Sequence, residues 1–162
     1  VEIRQRPLDL RELVSETVQL FQTGARQKGV EITVELPSGV VAYADRDTLS
    51  TVVRNLVNNA IKFTGPGGSI TVRGERRAEV VVFEICDSGI GIDPEEIDSL
   101  FELGGSVSRS GTGGEKGSGL GLLLAHEYVV RNGGSIAVES TPGEGSCFRV
   151  TLPAAPQPQV RA

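Results

Sequence analysis

The chain has 162 residues, with 16 Lys and Arg against 21 Asp and Glu, one His, two Cys and neither Met nor Trp, for a formal charge of −5. Hydrophobic residues at 38%, together with abundant glycine, suffice to bury one core, which excludes intrinsic disorder for most of the length. The acidic balance and 4% aromatics supply neither the basic footprint nor the stacking rings that nucleic acid needs, and no polybasic amphipathic face for a membrane surface.

In chain order, residues 3–8 read as a short extended start. Leu10, Leu13, Val18, Leu20 and Phe21 then give an amphipathic helix that ends near Gly24 or Gly29. Residues 31–36 alternate as a strand, and residues 40–43 form another that leads to Asp45 as N-cap. A strong helix follows over 47–63, with Leu49, Val53, Leu56 and Ala60 as its apolar stripe, ended by Thr64-Gly65-Pro66-Gly67-Gly68. Residues 69–73 and 80–86 predict a hairpin across the charged turn GERRAE, and a short helix is expected over 94–101.

The Gly/Ser stretch from 104 to 119 is too long for a simple connection and reads as a functional lid or disorder. A helix over 118–131 stops at Asn132-Gly133-Gly134. A last hairpin, 135–140 with 147–152, turns at Thr141-Pro142-Gly143-Glu144-Gly145. The tail PAAPQPQVRA is expected to be disordered, so residues 1–153 form the domain and 154–162 the tail. These elements predict an α+β two-layer sandwich, a mixed and mostly antiparallel sheet with about three helices on one face.

No apolar run approaches the roughly 18 residues that a membrane span needs, and VEIRQRPLDL lacks a signal peptide's pattern. The expectation is a cytoplasmic domain without direct membrane contact, cut from a longer protein since it starts at Val1. Cys86 and Cys147 are expected to remain reduced core residues.

Average usage predicts about 11 glycines; of the 21 present, 14 lie between Gly89 and Gly145, which points to loops that approach a ligand. On the 47–63 helix, Asn55 and Asn59 are four apart and Lys62 three further, so two amides and an ammonium stack along one face. Asn costs up to about 0.7 kcal/mol relative to Ala in a helix interior, yet Asn55, Asn58 and Asn59 crowd this one; a merely solvated face is the bland alternative. Asp87-Ser88-Gly89-Ile90-Gly91 holds a carboxylate at a strand end, where it can accept from an exocyclic amine. Gly117-Ser118-Gly119-Leu120-Gly121-Leu122 opens a helix whose free N–H groups and dipole favour phosphate, with Lys116 adding charge. Its glycine spacing fits neither GxGxxG nor the P-loop.

In this order, residues 55–64 (NLVNNAIKFT), 87–91 (DSGIG), 117–122 (GSGLGL) and 141–146 (TPGEGS) closely resemble the ATP-binding catalytic domain of sensor histidine kinases, from about residue 7 to 153. Its wider family has the Bergerat-type nucleotide fold of heat-shock chaperone, DNA gyrase and mismatch-repair ATPases. The resemblance implies ATP and Mg²⁺ as cofactors. It implies that Asn59 supplies a side-chain oxygen to Mg²⁺, that Asn55 lies one turn earlier, and that Lys62 neutralises phosphate charge, with Phe63 beside it. Asp87 would accept from the adenine amine, Gly89 and Gly91 would let the base approach, and Ile92 and Ser146 would complete that end of the pocket. Lys116, Gly117, Ser118, Gly119, Leu120 and Gly121 would form the phosphate-facing lid hinge, and Phe101 the aromatic that helps order it. After Phe101 the sequence departs from the family's aromatic and basic pair, with Leu103, Gly104, Gly105 and Ser106, leaving Arg109 or Lys116 to provide charge.

In the hydrolytic relatives, Asn55's position carries a glutamate that activates water; an amide cannot take that proton. The resemblance therefore implies a phosphotransferase with Asn55 and Lys62 as its catalytic residues, passing the γ-phosphoryl to a histidine on a separate dimerisation domain for relay to a response regulator. The domain alone would be monomeric. His126, followed by Glu127, is the only candidate acceptor within the chain, and a helix-surface or partly buried His is its better reading. The alternative is a degenerate switch module that binds nucleotide or protein without phosphotransfer; a self-contained ATPase is disfavoured by Asn55.

Overall fold

The computed structural model describes residues 2–101 and 120–156. Strand β1 (Arg6–Asp9) leads into helix α1 (Leu10–Lys28). Asp9 caps α1 by accepting from the Glu12 N–H at 3.3 Å, and Gly29 closes it at φ +82° by donating to the Ala25 and Arg26 carbonyls. Leu10, Leu13, Val14 and Val18 are buried. Leu20, expected in the stripe, is 71% exposed, because two residues past Val18 is roughly 200° around the helix.

Strands β2 (Glu31–Glu35) and β3 (Val41–Ala44) follow, then helix α2 (Arg46–Lys62), capped by Asp45, which accepts from the Thr48 N–H at 2.8 Å. Leu49, Val52, Val53, Leu56, Val57 and Ala60 are all buried. At its far end, the Lys28 ammonium donates to the Ile61 and Lys62 carbonyls at 2.8 and 3.1 Å, which satisfies two acceptors that a helix end leaves open. β1 pairs antiparallel with β3.

The main sheet comprises β2, β4 (Ser69–Arg77), β5 (Val80–Asp87), β6 (Ser135–Thr141) and β7 (Gly145–Pro153) in the order β2-β4-β5-β7-β6. β2 runs parallel to β4 and the other pairs are antiparallel, the mixed and mostly antiparallel sheet the pattern predicts. Ile70, Val72, Phe83, Ile85, Phe148 and Val150 are buried on the face that carries the helices. The short helix is a single turn, α3 (Pro94–Ile97), and the last is α4 (Leu120–Arg131).

Three expectations are corrected. The charged run 74–77 is paired strand rather than turn: Gly74 to Arg77 lie opposite Phe83 to Val80, and the reversal falls on Ala78, at φ +55°, and Glu79. Cys86 and Cys147 are register partners joined by a disulfide, and they are half-buried rather than core; with Ile85 and Phe148 turned inward, alternation puts both on the outer face. The packed chain also runs past Pro153, since the Ala154 N–H donates to Glu79 and the Ala155 N–H to Val41, both at 3.0 Å. Ala155 is buried. Residues 157–162 of the expected tail lie outside the described residues. Among the described residues no helix is long and apolar enough to cross a membrane.

Asn132, 1% exposed, fastens α4 to the start of α2. Its side-chain oxygen accepts from the Asp45 N–H at 2.7 Å, and its amide donates to Thr48 Oγ1 and the Tyr128 carbonyl at 3.0 and 2.8 Å. Asn132→Ala leaves buried partners unsatisfied, so we expect a loss of about 2–4 kcal/mol, read as a lower urea midpoint with an unchanged slope.

Candidate functional site

The end of α2, the end of β5 and the β6–β7 turn meet at one place. Residues 88–92 are wedged there: the Ile90 N–H donates to the Phe63 carbonyl at 3.1 Å, and the Ile90 carbonyl accepts from the Gly143 N–H at 2.8 Å. The Ile92 N–H donates to Ser140 Oγ at 2.8 Å, and Ser140 Oγ lies 2.7 Å from Ser146 Oγ. A Cβ on Gly89 would collide with the Phe63 carbonyl, and one on Gly91 with the Thr141 carbonyl. Glycine is required at both positions by backbone packing, a different reason from the expected approach of a base.

Asp87 is the last residue of β5. Its Oδ1 accepts from the Gly89 N–H at 2.9 Å and from the Ser146 N–H at 3.3 Å. Burial raises its pKa from 3.8 to about 6, against the lowering effect of those two N–H bonds. At neutral pH the carboxylate is ionised, and with Oδ1 held by the backbone it presents Oδ2 as an acceptor for an amine. Guanine has an oxygen where adenine has its amine, so this acceptor suits adenine.

On α2, Asn55 and Asn59 are half-buried, and neither side chain makes a hydrogen bond among the described residues. Two amides left this way on one face are open to a ligand. A Cβ on Gly121, in the first turn of α4, would lie 3.5 Å from Asn55 Cγ, so the start of α4 sits against Asn55. Lys62 is 8% exposed, its Nζ 4.8 Å from the Phe63 ring centroid, and Phe63 itself is buried. No cluster of three or more His, Cys, Asp or Glu exists among the described residues to hold a metal alone. A neutral amide oxygen such as that of Asn59 is a hard donor and fits Mg²⁺ that takes its other ligands from phosphate and water.

Phe101 is half-buried, stacked on His126 with centroids 5.2 Å apart and edge-on to Phe148 at 6.4 Å. The structure therefore brings together Asn55, Asn59 and Lys62 on α2 and its C-cap Phe63 with Asp87, Gly89, Gly91, Ile92 and Ser146 at the sheet end, with Leu120 and Gly121 opening α4. Arg109, Lys116, Gly117, Ser118 and Gly119 lie outside the described residues, as does most of the expected lid. Sequence reasoning missed Ser140, whose hydroxyl ties the loop to β7. Its only signal is its place on the inward face of β6. It also missed the ring contact of His126, for which spacing carries no signal because Phe101 is distant in the chain.

A family model described as histidine kinase-, DNA gyrase B-, and HSP90-like ATPase matches residues 44–156. The chain is 35% identical over 155 residues to the adaptive-response sensory kinase SasA of Crocosphaera subtropica, covering 94% of this chain and 40% of that protein. The catalytic domain of histidine kinase ThkA matches with a TM-score of 0.81 at 26% identity, over 95% of this chain and 99% of that one. Full-length ShkA, solved in complex with AMPPNP, matches with a TM-score of 0.81 at 26% identity, over 96% of this chain and 32% of that one. The chain belongs to the histidine kinase-, DNA gyrase B-, and HSP90-like ATPase family, with the ATP-binding fold of that family. It spans less than half the length of the curated relatives it matches.

Proposed function

We propose that this chain is the catalytic ATP-binding domain of a two-component sensor histidine kinase. It acts on Mg-ATP and delivers the γ-phosphoryl group to a histidine on a helical dimerisation domain of the same protein, which in turn serves a response regulator. The observation that carries this reading is the pair Asn55 and Asn59, half-buried and without hydrogen-bond partners among the described residues, on a helix whose end packs against the loop after Asp87.

Each residue has a definite task. Asp87 accepts from the adenine amine, Asn59 offers its amide oxygen to Mg²⁺, and Lys62 offsets phosphate charge. Bound Mg²⁺ supplies charge neutralisation on the phosphates. Asn55 sits beside the start of α4, where it orients groups without taking a proton, since a neutral amide is no general base. Catalysis then rests on positioning and charge stabilisation.

The test is incubation with γ-labelled ATP and Mg²⁺, with and without the histidine-bearing dimerisation domain of the parent protein. The expected outcome is acid-labile label on that domain, slow phosphate release without it, and loss of transfer with Asn59→Ala by about 100-fold, in line with removal of one preorganised electrostatic contact. Rapid phosphate release by the chain alone, with no label transferred, would overturn the kinase reading.

A further inference from the structure

Cys86 and Cys147 take no part in the nucleotide site, yet they lie directly behind it. They face each other across the β5–β7 ladder, with Cα atoms 4.0 Å apart, half-buried on the face of the sheet opposite the helices. The next rung of the ladder is Asp87 opposite Ser146, where the Ser146 N–H holds Asp87 Oδ1 at 3.3 Å. That rung is the end of β5 and nearly the start of β7. Ladder ends open more readily than their centres, and the hydrogen bond at this end is long. A covalent bond one rung inward stops that opening. The sequence separation of 61 encloses α3, α4 and β6, so the bond joins the two roots of the segment that carries Phe101 and Gly121.

We propose that Cys86 and Cys147 form a reversible thiol–disulfide modification site, and that its closed state favours nucleotide binding by fixing Asp87 against Ser146. The second half of this inference rests on the base-reading role proposed for Asp87. The oxidant class is a low-molecular-weight disulfide. One cysteine, as thiolate, attacks it and expels one small thiol, forming a mixed disulfide; the other cysteine attacks the protein sulfur of that bond and expels the second. Two protein thiols and one small disulfide become one protein disulfide and two small thiols, with two electrons and two protons passing to the small molecule. The strands need not move to bring the sulfurs together, because their register already does, and both residues are half-buried rather than enclosed among the described residues, which gives the reagent access.

The first arm of the test equilibrates the folded chain in glutathione buffers from fully reduced to fully oxidised, followed by alkylation and intact mass. We expect both thiols to disappear together and return on reduction, with an unchanged far-ultraviolet circular dichroism spectrum. Thiols that stay alkylatable at every ratio, glutathione adducts alone, or oxidation only on unfolding would overturn the site. The second arm compares calorimetric binding of AMPPNP by the two forms. The disulfide form should bind about fivefold more tightly, and AMPPNP should shift the redox midpoint by the same factor toward the disulfide, since coupling is reciprocal. The double substitution Cys86→Ser, Cys147→Ser should hold the affinity of the reduced form in either buffer. Equal affinity of both forms overturns the coupling. A separate Asp87→Asn titration isolates the base-reading role: if AMPPNP binding ignores that substitution, the reading of Asp87 has failed whatever the thiols do.

Discussion

Asp87→Asn is expected to weaken binding of an adenine nucleotide by about 10- to 100-fold, the worth of a hydrogen bond to a charged group, and at the same time to stabilise the empty domain at neutral pH. The second effect follows from the raised pKa of about 6. Between the ordinary value of 3.8 and about 6, the folded state binds more protons at this site than the unfolded state. The site's contribution to stability is therefore fully present below about 3.8 and is lost as pH rises through 6. Above that, holding the carboxylate ionised in its half-buried place costs on the order of 2–3 kcal/mol. Asn keeps an acceptor for the Gly89 and Ser146 N–H groups without the charge. Thermal scans of the nucleotide-free chain should show a melting point several degrees higher for Asp87→Asn at pH 7.5, with the difference closing near pH 4. In the unaltered chain, adenine affinity should fall as pH is lowered through about 6, because the protonated carboxyl is a poorer acceptor. A variant that binds as before, or melts lower at pH 7.5, would contradict this assignment.

Gly145→Ala is expected to have the largest effect on folding. Gly145 adopts φ +120°, and an added Cβ would collide with the Asp87 carbonyl oxygen, a backbone atom that cannot swing aside. Backbone strain alone costs about 1–3 kcal/mol, and the clash adds displacement of the rung that orients Asp87. The neighbouring Gly143 gives the control: it has φ +82° with nothing within 4 Å of an added Cβ, so Gly143→Ala carries only a left-handed penalty of about 1–2 kcal/mol. Denaturant titration should rank Gly145→Ala well below Gly143→Ala, and nucleotide binding should fail in the first while surviving in the second. Equal stability of the two would remove the role given to the β6–β7 turn.

The helical half of the site was legible because local rules agree there. Asp45 as N-cap, an unbroken apolar stripe and Asn55, Asn59 and Lys62 at helical spacing all point to one face of one helix. The sheet end was only partly legible. The glycines at 89 and 91 announced close approach, but what approaches is the backbone of Phe63 and Thr141, distant in sequence and invisible to spacing. The run Glu75, Arg76 and Arg77 reads as a charged turn by propensity; pairing with Val80, Val81 and Val82 makes it strand, since tertiary context decides strand formation more than composition does. For Cys86, its apolar character suggested the core, whereas alternation with Phe83 and Ile85 already placed it on the opposite face. Ser140 and His126 act through partners that no local pattern names.

The central claim is that α2 and the end of β5 form one Mg²⁺-dependent, adenine-selective pocket. Calorimetric titration of the chain with AMPPNP, with and without Mg²⁺, alongside the corresponding guanine analogue, tests it most directly. The expected result is saturable binding of AMPPNP that tightens with Mg²⁺, with the guanine analogue at least about tenfold weaker. Equal binding of the two bases, or no binding of either in any condition, would contradict it.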